Sequence, residues 1–220
     1  MPQYAIIGLS TFGERIGKRL SESGCQVLVI DRDRDKIQEV KNWATEAVVA
    51  DAIDKGVLAA MGLKDVDGAV VCLGDKTDLS ILVTLFLKEL GVRKIIVKGN
   101  TPDHGKVLKL VGADEVIFPQ EEMAVRIANR LSAPRVIDQI ELAEGFSIVE
   151  MLAPKSWVGK SLTRLRVRER HNVEVILIKK EVPGTDTPRV SIPDPSEEIG
   201  ERDRLLLVGE DSAIAAMKKL

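Results

Sequence analysis

The sequence predicts an α/β protein: a Rossmann-type, doubly wound parallel sheet followed by a small α+β domain. Up to Pro119, short apolar runs alternate with amphipathic stretches, which is typical of buried parallel strands covered by helices. After Pro119 one amphipathic segment leads into a region rich in short strands. We therefore expect a Rossmann-type domain at residues 1–119, a crossover helix and linker at 120–134, and a small α+β domain at 135–220.

The first domain is predicted to contain six strands that alternate with five helices. Within residues 11–23, Phe12, Ile16 and Leu20 recur every four residues, and Gly24 follows as a terminator. The other helices repeat this pattern, and the strands are brief and mostly rich in Val, Ile or Ala. The predicted strands are 4–8, 26–30, 47–50, 68–73, 94–98 and 115–118, and the predicted helices are 11–23, 34–43, 54–61, 78–90 and 103–111. Right-handed crossovers between such strands predict a ligand crevice at their carboxyl ends.

Residues 120–131 predict one amphipathic helix, which Ala133-Pro134 ends. Its apolar positions Met123, Ile127 and Leu131 either pack on their own domain or act as a lever between paired chains. The strands expected after it are 136–140, 147–151, 173–178, 189–192 and 204–208, with a final helix at 212–219.

Composition and charge exclude several classes of function. The chain is 45% hydrophobic, and its 32 basic and 34 acidic residues give a net charge of −2, so no global field attracts nucleic acid. Its start, MPQYAIIGLS, has no signal-peptide pattern, and no uncharged stretch approaches the ~20 residues that span a bilayer. Cys25 and Cys72 lie in apolar stretches and indicate buried free thiols. We expect a cytoplasmic protein.

The turn Gly8-Leu9-Ser10-Thr11-Phe12-Gly13 joins the first strand to the first helix, and Asp31 ends the second strand. Gly8 permits the tight turn, Gly13 lets the helix pack closely, and the N–H groups at the helix start attract phosphate. Asp31 can accept hydrogen bonds from ribose hydroxyls. Ser10 replaces the middle glycine of the dinucleotide fingerprint, and Glu14 adds a negative charge, which leaves a Rossmann fold without a ligand as the alternative.

Further residues follow the carboxyl ends of the predicted strands. Arg32 comes directly after Asp31, Asp51-Ala52 after the third strand and Gly74 after the fourth, where they could line an adenosine. Lys98 ends the fifth strand, and it either reaches a phosphate or is a solvated charge. Together with the turn, they predict an adenine nucleotide site.

Separated motifs in both domains then point to one family. They are the Ile7–Gly13 turn, Val29-Ile30-Asp31, Leu85-Phe86-Leu87-Lys88-Glu89-Leu90-Gly91, Lys106-Val107-Leu108 with Gly112-Ala113-Asp114, Trp157-Val158-Gly159-Lys160-Ser161-Leu162, and Gly200-Glu201-Arg202-Asp203 before Leu205-Leu206-Leu207-Val208-Gly209. This set resembles the RCK family (regulators of conductance of potassium), in particular its KtrA/TrkA-type branch, over nearly the whole chain.

The resemblance implies a cytosolic, nucleotide-sensing regulatory subunit of a Trk/Ktr-type potassium uptake system, and no enzyme. It implies dimers that form an octameric ring at the inner face of the cell membrane, under an integral-membrane, potassium-conducting subunit of the TrkH/KtrB type. The KtrA branch often has arginine where this chain has Thr11, and glutamate where it has Gln120. ATP, ADP, AMP and NAD(H) therefore all stay candidate ligands, and no metal site is assigned.

The resemblance also implies a cyclic di-AMP site at Leu162, Val167, Arg168 and Pro193. Glu174 stands where the family has asparagine, and its charge would repel a phosphodiester. Alternatively, Arg168 is one of a run of solvated charges that also includes Arg164, Arg166 and Arg170.

Two other classes of function stay open. A small NAD(P)-dependent oxidoreductase would need an acid–base group, yet His104 opens a predicted helix and His171 lies in a predicted turn, neither within a recognisable constellation. A Rossmann-type redox or nucleotide-sensing corepressor would need a basic DNA-binding helix, and the sequence has no such motif.

Overall fold

The computed structural model describes residues 1–182, 184–185 and 187–220 of the 220-residue chain. These residues divide into two compact units, Met1–Pro119 and Gln120–Leu220. Within this described part of the chain, no helix has both the length and the apolar character that crossing a membrane requires.

The first unit is a six-stranded sheet with helices between successive strands. Its strands are β1 (Gln3–Ile7), β2 (Gln26–Asp31), β3 (Glu46–Val49), β4 (Gly68–Val71), β5 (Ile95–Lys98) and β6 (Glu115–Ile117), and its helices are α1 (Thr11–Glu22), α2 (Arg34–Val40), α3 (Lys55–Ala60), α4 (Thr77–Glu89) and α5 (Pro102–Leu110). The strand order is β3-β2-β1-β4-β5-β6, and every neighbouring pair is parallel. This order confirms the predicted doubly wound fold and places its switch point between β1 and β4.

The core of this unit lies on both faces of the sheet, because successive strand residues point to opposite sides. Ile6 of β1 belongs to one apolar cluster with Ile37 of α2, against which Phe12 of α1 packs. Its neighbour Ile7 belongs to a second apolar cluster on the opposite face of the sheet, together with Leu87 of α4. The central residues of the strands are therefore apolar on both sides, as a sheet covered on both faces requires.

The second unit contains a five-stranded antiparallel sheet, which confirms the predicted α+β architecture. Its elements are α6 (Pro119–Ser132, of which Pro119 belongs to the first unit), β7 (Val136–Ala143), β8 (Phe146–Leu152), α7 (Leu162–Leu165), α8 (Val167–His171), β9 (Val173–Lys180), β10 (Arg189–Ser191), β11 (Arg204–Glu210) and α9 (Asp211–Met217). The strand order is β10-β9-β11-β8-β7. Val149, Met151, Leu205, Leu207 and Trp157 form part of its core.

Two short helices, α7 and α8, correct the sequence prediction for this region. His171 is the last residue of α8, so the predicted turn at His171 is wrong. Arg166 separates the two helices in a left-handed conformation with φ of 50°. Leu165 and Val167 on either side of it are buried, whereas the four arginines that alternate with them are exposed. The strand-like alternation of this segment arises from two helical turns with a break between them.

Candidate functional site

The β1–α1 turn depends on two glycines at which a side chain has no room. Gly8 has φ of +93°, and a Cβ atom on it would lie 2.6 Å from the carbonyl oxygen of Cys72. Its N–H donates to the carbonyl of Ile30 at 2.8 Å, which ties the turn to β2. A Cβ on Gly13 would lie 2.4 Å from the carbonyl oxygen of Gly8. The start of α1 can therefore approach the turn closely only because both positions are glycine.

Ser10 caps α1 instead of leaving an open backbone at the middle position of the motif. Its Oγ accepts a long hydrogen bond of 3.4 Å from the N–H of Gly13, and its φ of −68° requires no glycine. Thr11 and Phe12 open the helix, so their N–H groups have no partner within it. These two donors and the helix dipole can interact with one phosphate, while Ser10 competes for the third donor.

Asp31 and Lys36 fix both polar backbone groups of Leu9, the residue between Gly8 and Ser10. Asp31 Oδ2 accepts from the N–H of Leu9 at 2.5 Å, and Lys36 Nζ donates to its carbonyl at 3.0 Å. The other oxygen of Asp31 accepts from the N–H of Asp33 at 2.8 Å. A carboxylate offers about four acceptor positions, so Asp31 can still bind ribose hydroxyls while it holds the turn.

A cavity of about 430 Å³ opens beside this turn, at the switch point between β1 and β4. Its walls contain seven of the predicted site residues, namely Gly8, Ser10, Asp31, Arg32, Asp51, Ala52 and Gly74. Its volume lies within the range of roughly 300–1,000 Å³ that small-molecule sites occupy. The fold thus brings residues from the ends of four consecutive strands to one concave site.

Four other predicted residues lie outside the walls of this cavity. Thr11 lines a separate depression of about 160 Å³ together with Glu14. Phe12 packs on the apolar cluster of α1 and α2, Gly13 is buried beneath the turn, and Lys98 is buried at the end of β5. Glu14 is exposed and does not line the main cavity, so its charge does not face the ligand space.

Several wall residues were missing from the sequence prediction, including Lys36, Lys76 and Leu79. Nothing in the sequence distinguishes Lys36 from its basic neighbours, because only the fold brings its amine to Leu9. The charged groups of the wall are Asp31, Asp33, Asp51 and Asp75, against Arg32, Lys36 and Lys76. With four carboxylates and three cations, the cavity favours a ligand with few phosphate charges over a highly charged one.

Cys72 lies at the inner end of the cavity and is fully buried. Burial raises the pKa of its thiol to about 12, and the positive charge of Lys98 partly opposes that rise. The thiol therefore stays protonated at neutral pH and is a poor nucleophile. Among residues 1–182, 184–185 and 187–220, no three His, Cys, Asp or Glu side chains gather closely enough to hold a metal ion.

A second candidate site lies in the second unit, beside α7 and α8. A cavity of about 370 Å³ brings together all four residues predicted for cyclic di-AMP, Leu162, Val167, Arg168 and Pro193. Glu174 also lines it and lies 3.7 Å from the guanidinium of Arg168. Arg168 is exposed, as expected for a solvated charge, and its guanidinium already pairs with the carboxylate of Glu174.

The fold and the main cavity define a class of protein: a Rossmann-type unit with a cavity at its switch point, joined to a small α+β unit. Residues 4–119 match the TrkA-N domain family, and residues 146–220 match the TrkA-C domain family. The chain belongs to the family that these two domains define, and its likeness to RCK domains is thereby confirmed.

Relatives and solved structures agree with this assignment. The chain is 38% identical to Ktr system potassium uptake protein C of Bacillus subtilis (strain 168) over 99% of its own length and 96% of the relative. It is 35% identical to Ktr system potassium uptake protein A of the same organism, over 96% and 93% of the two chains. The GsuK channel has the same fold over the whole chain, with a TM-score of 0.70 at 20% identity, although the chain spans only 39% of that protein.

Proposed function

We propose that the chain is the cytosolic, nucleotide-sensing regulatory subunit of a Trk/Ktr-type potassium uptake system. The observation that carries this proposal is the cavity between the Gly8 turn and Asp31, in a chain that matches Ktr potassium uptake proteins nearly end to end. Nucleotide in this cavity shifts the chain between two conformations, and the membrane subunit responds to that shift.

The proposed ligand is an adenine nucleotide, with its ribose on Asp31 and its phosphates at the start of α1. Thr11 and Phe12 contribute backbone N–H groups there, although their side chains lie outside the cavity walls. The excess of carboxylates in the walls favours ADP, AMP or NAD(H) over ATP. Lys98 is buried and does not line the cavity, so it can take part only if ligand binding exposes it.

The proposed assembly is a dimer that forms an octameric ring under a potassium-conducting subunit of the TrkH/KtrB type, at the inner face of the membrane. Helix α6 supports pairing, because Met123, Ile127 and Leu131 are 49%, 39% and 73% exposed and belong to none of the apolar clusters of the described chain. Size-exclusion chromatography with light scattering is expected to give a dimer or larger species. A monomer at micromolar concentration would refute the assembly.

The chain is proposed to bind nucleotide without consuming it. Both ring nitrogens of His104 already have partners inside the first unit, and the ring of His171 lies 5.4 Å from that of Trp157. Neither histidine lines the main cavity. A small oxidoreductase would instead turn over NADH with a carbonyl substrate, and a corepressor would bind duplex DNA, so both alternatives can be measured directly.

Potassium uptake tests the function itself. We expect vesicles that contain the membrane subunit to take up potassium at a rate set by the nucleotide present, once the chain is added. The Asp31→Ala variant is expected to remove that nucleotide dependence. Uptake that is the same with and without the chain would contradict the proposal.

Cyclic di-AMP is a second proposed ligand, favoured by the cavity that joins Leu162, Val167, Arg168 and Pro193. Glu174 competes with the phosphodiester for Arg168. Glu174→Gln is therefore expected to tighten binding of cyclic di-AMP about fivefold, which corresponds to a charge interaction of about 1 kcal/mol. Calorimetry with cyclic di-AMP measures the change. Glu181→Gln is the matched control, because Glu181 pairs with Arg202 and neither residue lines this cavity. Equal affinities of the two variants, or no binding by either, would refute this site.

A further inference from the structure

A buried polar cluster connects the start of α5 with the start of α4. His104, Ser80 and Thr84 belong to it, and His104 is only 7% exposed. Buried polar groups in proteins are almost always hydrogen-bonded, and each bond constrains the elements that it joins. The bonds of His104 therefore indicate which part of the first unit this cluster fixes.

The hydrogen bonds require His104 to be neutral. The backbone N–H of Asn100 points at His104 Nδ1 at 3.3 Å, and since an N–H group can only donate, Nδ1 must accept and carries no proton. The proton is then on Nε2, which donates to Ser80 Oγ at 3.0 Å. Ser80 Oγ in turn donates to the carbonyl of Thr77 at 2.8 Å. Each donor in this chain of hydrogen bonds therefore has one acceptor.

The same cluster holds both ends of a segment of the cavity wall, Gly74–Leu79. Asn100, whose N–H binds the imidazole, donates its side-chain Nδ2 to the carbonyl of Gly74 at 3.1 Å. At the other end, Ser80 follows the segment directly and binds His104. Gly74, Asp75, Lys76 and Leu79 all line the cavity. The two ends of this wall segment are thus connected through the hydrogen bonds of one imidazole.

We propose that His104 is a positioning residue of the nucleotide site. Its neutral imidazole holds the segment Gly74–Leu79 against the cavity, and protonation releases that segment and weakens nucleotide binding at acidic pH. The part concerning nucleotide rests on the proposed function, whereas release of the segment does not.

Protonation of His104 disrupts the hydrogen bonds of the cluster. A proton on Nδ1 would face the N–H of Asn100, so that one bond becomes a repulsion, and His104 lies in the first turn of α5, where the helix dipole disfavours a cation. The charged groups on the elements packed around it are Asp75 and Lys76 before α4, Asp78, Lys88 and Glu89 on α4, Lys98 on β5, and Asp103, Lys106 and Lys109 on α5. Asp103 pairs with Lys106 at the surface. Burial lowers the pKa of His104, and no charged group of the described chain adds to that shift.

The direction of the pH effect follows from this lowered pKa. Above the ordinary histidine pKa of about 6.5, the imidazole is neutral in the held and released forms, and the segment is held fully. As the pH falls below that value, the released form takes up a proton first, because its pKa is not lowered. The ratio of the held form to the released form then falls by up to about tenfold per pH unit.

Calorimetric titration with ADP at pH 7.5 and 5.5 tests the nucleotide part. We expect the affinity of the wild-type chain to fall about three- to tenfold more than that of His104→Gln, which cannot titrate; ionisation of ADP itself affects both equally. The chain has two histidines, and His171→Gln is the matched control that should behave like wild type. Equal pH dependence in wild type and His104→Gln would overturn the proposal while leaving nucleotide binding intact.

Hydrogen exchange without nucleotide separates the two proposals. Protection of the amides of Gly74–Leu79 is expected to fall from pH 7.5 to 5.5 in wild type and to stay constant in His104→Gln. Ser80→Ala removes the acceptor of Nε2–H and should lower protection at pH 7.5 already, a second variant if His104→Gln does not fold. Equal protection of Gly74–Leu79 at both pH values in the wild-type chain would overturn the proposal that protonation of His104 releases this segment. Failure of ADP to bind at any pH would overturn the proposed function instead.

Discussion

Gly8→Ala is expected to lower the free energy of unfolding of the first unit by about 2–5 kcal/mol and to eliminate nucleotide binding. A left-handed conformation costs a non-glycine residue about 1–2 kcal/mol, and an added methyl group that meets backbone costs about 1–3 kcal/mol more. Here the Cβ would lie 2.6 Å from the carbonyl of Cys72. Cys72 directly follows the interior strand β4 and donates its N–H to the carbonyl of Ile7, so it cannot move aside freely. Urea unfolding followed by circular dichroism measures the loss.

Gly24→Ala is the matched control for this prediction. Gly24 has a similar φ of +84°, but nothing lies within 4 Å of a Cβ placed on it. Only the backbone cost of about 1–2 kcal/mol should appear, and nucleotide affinity should be unchanged. If both variants lost equal stability, the close approach of the turn to Cys72 would not be the reason for glycine at position 8.

Asp31→Ala is expected to weaken nucleotide binding about a hundredfold, or about 3 kcal/mol. The substitution removes the acceptor for the ribose, and it also frees the N–H groups of Leu9 and Asp33 that Asp31 now holds. Hydrogen bonds to a charged group contribute about 1.5–3 kcal/mol each, so losses of this size are reasonable. Calorimetric titration with ADP measures the change in affinity.

Two companion variants show which role of Asp31 matters. Asp31→Asn keeps one acceptor oxygen without the charge and should give an intermediate affinity. Asp54→Ala removes the cap of α3, outside the cavity, and should cost about 1 kcal/mol of stability with affinity unchanged. Unchanged ADP binding by Asp31→Ala would mean that the ribose does not lie at the end of β2.

The sequence was sufficient for the parts of the site that neighbouring residues define. Gly8 and Gly13 were predictable because a tight strand–turn–helix connection leaves room for no side chain there, and Asp31 because it ends the next strand of the crevice. Lys36 was not predictable, since its role arises from the distance between α2 and Leu9. Lys98 satisfied the same strand-end rule as Asp31, yet β5 lies one strand beyond the switch point and its lysine is buried.

The same distinction applies to the fold. The strands of the first unit followed from short apolar runs and the long helices from their hydrophobic period. Helices α7 and α8 are too short to show such a period, and with the left-handed Arg166 between them their residues alternate as in a strand. His104 was correctly expected near the start of a helix. Its partner Ser80 is 24 positions away, so the bond between them is a property of the packed unit alone.

Titration of the purified wild-type chain with ATP, ADP, AMP and NADH tests the central claim most directly. We predict saturable binding of an adenine nucleotide at one site per chain, tighter for ADP, AMP or NADH than for ATP, and about a hundredfold weaker in Asp31→Ala. A chain that binds none of the four, at any concentration up to the millimolar range, would contradict the account.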